Sequence, residues 1–517
     1  MSLLAPPPRR SSRLWIWLTL AVLLLAGVGA AGWFFFFRTF TPLNSHEGKA
    51  LGKAVPEYLV SMQENLRNGG PADVEKDRVG AALDPKMKEA LGTDVSDRLQ
   101  TLLRTSVDLT ATKSTDRDLV NRFQQENILL DQAMVARELP YFVDASVYRF
   151  GASNVPILYT YYIERDNTLT APEKRIRSLF VRRLDNLNFR QAAVGYTRPS
   201  TTAALVLLDE LERQLVEFVL PATAAAAAND TLLVDLESLD PDNVWQKSLR
   251  ERSAEIVKAA YSAPSGTTAA QVEELGDLFY RRRKLVRSWM KTLDKQRYKL
   301  RVPRRFIPEA DYANELVGRI PLTDLREWRT IHERLMEADV LAAFELVLGL
   351  VLLHSACVAL DNLVDYEREK IVVPKPILDI LGIEKADDAL DSEFAMYTAG
   401  ETSAYLAELA RGTDPPSLTL LTLAEFAFNR DLWGGAYCYA ALIVMDGLAG
   451  QLGIQGEPLL AHRQINRAAL TQRFLGITNK SEGDIRNAAR QVWERWYEAK
   501  LSDVRREKTT TNAAWRH

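Results

Sequence analysis

Cysteine and histidine are scarce in this 517-residue chain, which has two cysteines, Cys357 and Cys438, and five histidines. Two cysteines exclude a disulfide framework, and no CxxC pair is present to build a zinc ribbon or a thioredoxin-type redox site. A bridge between Cys357 and Cys438 stays open beside the alternative of two buried thiols, because their separation in space decides it. Walker A, G-x-G-x-x-G and G-x-S-x-G signatures are all missing. An excess of charge of one sign is absent too. With 65 Lys and Arg against 68 Asp and Glu, the formal charge of −3 leaves no broad basic footprint, so nucleic acid is not an expected partner. With 47% hydrophobic and 26% charged residues, the chain has enough apolar material for packed cores and is not a disordered sequence. Its length allows two or three domains.

The clearest positive signal is at the N-terminus. Residues 14–37 form an uncharged, almost wholly apolar run. A hydrocarbon core of about 30 Å is spanned by about 20 helical residues, so this run is long enough to cross with some tilt. Arg9, Arg10 and Arg13 precede it, and Trp15, Trp17 and Trp33 lie near its ends. This pattern predicts a single-pass anchor with a cytoplasmic stub (1–13), a transmembrane helix (14–37) and a translocated body. A cleaved signal peptide is the rival, with Val28-Gly29-Ala30 as its small-residue site. The apolar run, however, continues through Phe34-Phe35-Phe36-Phe37, beyond the length of a signal h-region. Short stub, high Ala, Arg and Leu usage and the anchor together point to a bacterial inner membrane with a periplasmic body. A second apolar stretch, 340–360, contains Glu345 and His354 and leads into the acidic segment 361–369. Charge in mid-membrane is costly, so a buried core helix is expected there.

Beyond the anchor the spacing predicts a mostly α body with a small antiparallel sheet, α+β in detail. Region 38–220 is the α+β part. Within it 141–150, 156–164 and 176–184 are rich in Val, Tyr, Phe and Ile, with turn residues between them, and read as strands of a meander. Helical spacing returns at 201–220. Residues 221–268 read as a linker and connecting helix, 269–504 as a helical region, and 505–517 as a polar tail. Ser481 followed by Asp484 suggests a capping box for a helix over 482–504. The aromatics Trp433, Tyr437, Tyr439, Trp493, Trp496 and Tyr497 read as core or interface residues. The basic clusters Arg281–Lys284 and Arg301, Arg304, Arg305 read as solvated faces, with an anionic surface as the alternative partner.

One stretch carries possible chemistry: Val351-Leu352-Leu353-His354-Ser355-Ala356-Cys357-Val358, ending an apolar run. About 40 residues on, a second helical segment holds Glu393, Glu401 and Glu408. In spacing and texture these two segments resemble a gluzincin-type zinc metallopeptidase. There an H-E-x-x-H helix supplies two imidazole ligands and a general base, and a downstream helix supplies a carboxylate ligand. The resemblance places His354 at the first ligand position and Glu393 or Glu401 at the carboxylate position. It also implies that the chemistry is lost, because Ser355 stands at the general base and Val358 at the second imidazole. A substitute His/carboxylate set remains conceivable, since His354, Asp361 and Asp365 lie within about 40° on a helical wheel. The plainer reading makes Asp361 and Asp365 the solvated end of a buried helix, and Glu393, Glu401 and Glu408 the wet face of an amphipathic one. His332-Glu333 has Met336 where a second histidine belongs and reads as a surface feature.

Three functions follow as expectations. The first is a membrane-anchored pseudo-peptidase that binds or scaffolds an envelope protein or peptide, with no cofactor. The second is an active metallohydrolase with an altered ligand set and zinc. The third is a structural envelope protein unrelated to peptidases.

Overall fold

A computed structural model of the chain describes residues 45–511, apart from 113–115, 151–152, 172–173, 186–194, 199–202, 225–243, 296–315, 352–371, 391, 412–414, 429–431, 462–463 and 502–504. The expected transmembrane run 14–37 lies outside them. Among the described residues no helix is long and apolar enough to cross a membrane. The chain divides into two compact units. One holds the described residues up to Glu164 with 184–185 and Thr511, and the other holds the described residues within 165–183 and 188–510.

The first unit is built from helices α1 (Val55–Arg67), α2 (Ala72–Val79), α3 (Thr93–Ala111) and α4 (Arg117–Ala136), followed by strand β1 (Tyr141–Phe150) and the part of strand β2 (Ser153–Ala171) up to Glu164. In α3 the buried residues Val95, Leu99, Leu102, Leu103 and Val107 recur at helical spacing and form one apolar stripe. Phe123 and Leu130 of α4 pack into the same core. Strands β1 and β2 pair antiparallel from Tyr141↔Tyr162 to Phe150↔Ser153, as the β-rich pattern predicts. In mid-strand, Thr160 donates its backbone N–H to the Asp185 carboxylate (2.9 Å) and its carbonyl accepts from the Leu184 N–H (2.8 Å), so residues 184 and 185 satisfy both backbone groups of Thr160.

The second unit carries strands β3 (Lys174–Arg183), β4 (Gly195–Arg198) and β5 (Ala203–Leu207). Here two expectations are corrected. Residues 203–207 form a strand, not the start of a helix: Ala-Ala-Leu-Val-Leu is a short continuous apolar run, buried at every position, and such runs do not betray their period. The sheet is also mixed, not purely antiparallel. Strand β5 pairs parallel with β3 (Arg177↔Ala203) and antiparallel with β4 (Gly195↔Val206). The wholly apolar strand takes the protected position between its neighbours and leaves the more polar Gly-Tyr-Thr-Arg strand outside it.

Helix α5 (Leu208–Gln214) follows β5 directly. Asp209 and Glu212 both bind the largely buried Arg182, at 3.4 and 2.5 Å. A π-turn and a 3-10 turn then carry the chain to Thr223. Next come α6 (Val244–Ser265), α7 (Ala269–Lys295) and α8 (Leu322–Leu335). At Gly276 a Cβ would collide with the Thr223 hydroxyl and the Leu220 carbonyl, so only glycine lets α7 approach the 220–223 turn this closely. Thr223 closes the junction by bonding the carbonyls of Leu220 (2.8 Å) and Val272 (3.2 Å). Residues 338–351 are helical. Their Val340, Phe344, Val347 and Val351 side chains are buried, and Phe344 packs on Phe279 with ring centres 5.7 Å apart. One face of the described part of the second apolar stretch is thus core, while Leu346 stays exposed.

The C-terminal half is a helical bundle: α9 (Glu393–Arg411), α10 (Pro416–Phe428), α11 (Ala436–Gln451), α12 (Arg467–Thr478) and α13 (Glu482–Tyr497). Helix α11 is apolar around most of its circumference and nine of its residues are buried, the signature of a central helix. Cys438 in it is a buried free thiol whose pKa burial pushes up to about 11. Ser481 caps the helix as expected: its hydroxyl accepts from the Asp484 N–H (3.1 Å) and donates to the Asp484 carboxylate (2.7 Å). Helix α13 ends sooner than predicted, where Glu498 takes a positive φ. Residues 505–511 form a strand, β6 (Arg505–Thr511), where a polar tail was expected. Its three threonines are strand formers.

Candidate functional site

Helix α9 carries the carboxylates picked out in the sequence. Its N-terminus is tied by Ser392, whose hydroxyl accepts from the Ala395 N–H at 3.3 Å. Thr398 and Thr402 bond back to the carbonyls of Phe394 and Thr398 at 2.8 and 2.7 Å, so their hydroxyls are satisfied inside the helix. One flank is clamped by α13. There the Trp493 indole donates to the Ser403 hydroxyl (3.0 Å) and the Tyr497 hydroxyl donates to the Ala399 carbonyl (3.0 Å).

Another flank presents Phe394, Tyr397, Glu401, Tyr405 and Glu408, spaced so that they form one row along the helix. This row passes from solvent to interior. Phe394 is 37% exposed and Tyr397 51%, Glu401 is half-buried, and Tyr405 and Glu408 are buried. The expected wet acidic face is therefore corrected at Glu408, which is 3% exposed and accepts a hydrogen bond from the Thr419 hydroxyl of α10 at 3.0 Å. Residue type alone marks a glutamate as outward-facing; the overlying α10 turns this one inward.

Near the row lies a second, half-buried acid that the sequence reading missed. Glu425 of α10 accepts from the Gln214 amide at 2.6 Å. Its signal was present as a lone charge in the otherwise apolar run Leu423-Ala424-Glu425-Phe426-Ala427-Phe428. Burial raises its pKa, opposed by the Gln214 hydrogen bond and by Arg213 and Arg283. Aromatic rings fill the space between: Tyr405 lies edge-on to Phe426 (6.0 Å), and Phe426 against Tyr437 (5.3 Å). Burial, then the negative charge of Glu401 and Glu408, holds the Tyr405 phenol far above its ordinary range. Burial alone pushes the Glu401 carboxyl up to about 8. Burial therefore favours the protonated form of the Glu401 carboxyl.

Of the sequence-predicted site residues, Glu401 is placed in this row and Glu393 at the first position of α9. His354, Asp361 and Asp365 lie outside the described residues, as does Cys357. Among the described residues no group of three or more His, Cys, Asp or Glu is arranged to hold a metal ion. His332 is half-buried on α8, with its pKa lowered by burial and by Arg282. Trp493 and Tyr497 are core residues, and Trp433, Tyr439 and Trp496 pack against that core. Comparison with known families, curated proteins and solved structures gives no match.

Proposed function

We infer that this chain is a single-pass membrane-anchored envelope protein whose body binds or scaffolds a protein or peptide partner and does not cut it. The anchor rests on the apolar run 14–37 with its preceding arginines. The non-catalytic reading rests on Ser355 and Val358, which supply neither a general base nor a zinc ligand at the positions where the metallopeptidase-like pattern needs them. The observation that carries it is the state of the acidic row. Glu408 is committed to Thr419, Glu425 to Gln214, and burial favours the protonated form of Glu401. These carboxylates stiffen a bundle, and the same row exposes Phe394 and Tyr397 at its outer end for contact.

The test is metal analysis and peptide cleavage on the purified full chain and on His354→Ala. The expected result is no stoichiometric zinc and no cleavage by either protein. Zinc at one per chain, lost with His354→Ala, or cleavage abolished by that change, overturns the reading in favour of an active metallohydrolase.

A further inference from the structure

Helix α9 and the short helix before it, Ala386–Leu390, sort their side chains against size. Ala389, Ala395 and Ala399 are buried in a small core with Ile377 and Ile443. Leu390, Phe394 and Tyr397 stay in solvent, 47%, 37% and 51% exposed. Large apolar side chains gain most from leaving water, so burial alone would favour the reverse. The joint between the two helices is short and fixed. There the Ser392 N–H donates to the Ala389 carbonyl (3.2 Å), and the Ser392 carbonyl accepts from the Met396 N–H (3.0 Å). Leu390 therefore leads directly into the first turn of α9, which holds Phe394, and Tyr397 follows one turn on. Phe394 is steadied by Tyr439 of α11, edge-on with ring centres 5.8 Å apart. A lone exposed apolar residue is ordinary, but three together, two of them aromatic, mark a contact surface.

The chain leading into this patch is acidic. Glu384, Asp387 and Asp388 are exposed, and none of them is bonded to another described residue. Between Gly382 and Leu390 the sequence sets Lys385 alone against them. Lys375, further back, is taken up by Asp379 at 2.5 Å. Asp387 lies one turn before Leu390, so negative charge borders the apolar groups. This charge selects among occupants. Anionic lipid would be repelled, and a symmetric contact with a second copy would bring acid toward acid. A cationic segment carrying Leu, Phe or Trp suits both parts, with its apolar groups on Leu390 and Tyr397 and its Lys or Arg at the acids.

We propose that this face is the docking surface for a basic protein segment. Leu390, Phe394 and Tyr397 are its apolar contacts, and Glu384, Asp387 and Asp388 are its charge partners. That chemistry defines the partner class for the binding role proposed above, on which the assignment rests.

The test lets the full chain, held in phosphatidylcholine nanodiscs, select from a random dodecapeptide phage library. The expected result is enrichment of peptides that join Lys or Arg to Leu, Phe or Trp. The double variant Leu390→Ser, Tyr397→Ser should lose that enrichment with its circular dichroism spectrum unchanged, since both side chains are about half exposed. Val60→Ser, an exposed position of the other unit, should keep it. For the best peptide, anisotropy should show binding weakened about 10-fold or more by Tyr397→Ser, as for an aromatic anchor. Asp387→Asn with Asp388→Asn should weaken it about 2- to 30-fold, the range for two exposed ion pairs. Enriched peptides without basic residues, no enrichment, equal binding by the double variant, or a Kd unmoved by the two Asp changes overturns the proposal. Self-association in detergent that Tyr397→Ser abolishes overturns it in favour of a second copy. Capture of phosphatidylglycerol vesicles that Tyr397→Ser abolishes overturns it in favour of lipid. Mass spectrometry of the recovered peptide tests the binding role separately. A basic peptide bound at the patch but cut sinks the non-cutting role and leaves the surface. Intact peptides bound equally by the double variant sink the surface alone.

Discussion

Replacing Thr419 by Val tests whether Glu408 is held inside the bundle by a specific bond. Thr419 is 2% exposed, its hydroxyl donates to Glu408 at 3.0 Å, and valine has nearly the same shape. The change removes one donor from a buried carboxylate and leaves the packing in place. A buried acceptor deprived of a partner costs about 1–3 kcal/mol, more when it is charged. For the larger unit of this chain that corresponds to a fall in melting temperature of about 1–2 °C per kcal/mol. Glu408→Leu alone strands the hydroxyl and costs less, because a hydroxyl is cheaper to bury than a carboxylate and can turn to a backbone carbonyl. The double variant replaces both partners by apolar groups and should recover most of the loss, giving a coupling of about 1–2 kcal/mol. Thermal and urea unfolding of the detergent-solubilised chain and its three variants measure this cycle. Additive losses, with no coupling between positions 408 and 419, would refute the claim that the pair holds α9 to α10.

Two further outcomes follow from the same bundle. Burial pushes the Glu401 carboxyl from its ordinary 4.5 up to about 8, so the folded state binds the extra proton between these values. Its contribution to stability is complete below the lower value and lost as pH rises through the upper one. Glu401→Gln should flatten the fall in melting temperature between those limits, and an unchanged slope would refute the assignment. Phe344→Ala removes a 1% exposed ring packed on Phe279 and should cost about 3–5 kcal/mol in urea unfolding. A loss under 1 kcal/mol would mean that residues 338–351 are not core.

The strand 141–150, the middle of the strand 153–171 (read as 156–164) and the cap at Ser481 were legible because each follows from neighbours in the chain: a β-rich run, or a hydroxyl three residues before an N–H. Strand β5 was not, since five apolar residues in a row suit a helix or a strand, and its parallel partner β3 lies more than 20 residues away. The inward turn of Glu408 was hidden for a related reason. The row on α9 could be drawn from the sequence, but which end of it α10 covers depends on how two helices pack. Glu425 could have been found by asking why one charge interrupts an apolar helix. The resemblance that singled out Glu401 found a perturbed carboxyl, though the cause of its perturbation is burial and not a neighbouring ligand.

The seat of α7 on the 220–223 turn reaches further than its own few atoms. From Gly276 to Met290 the helix runs about 20 Å at 1.5 Å per residue, so it acts as a stiff rod pivoted where a missing side chain lets two backbones touch. Any bulk added at the pivot swings the far end by several times the local displacement. The smallest residue in the chain thereby governs the aim of one of its most basic regions.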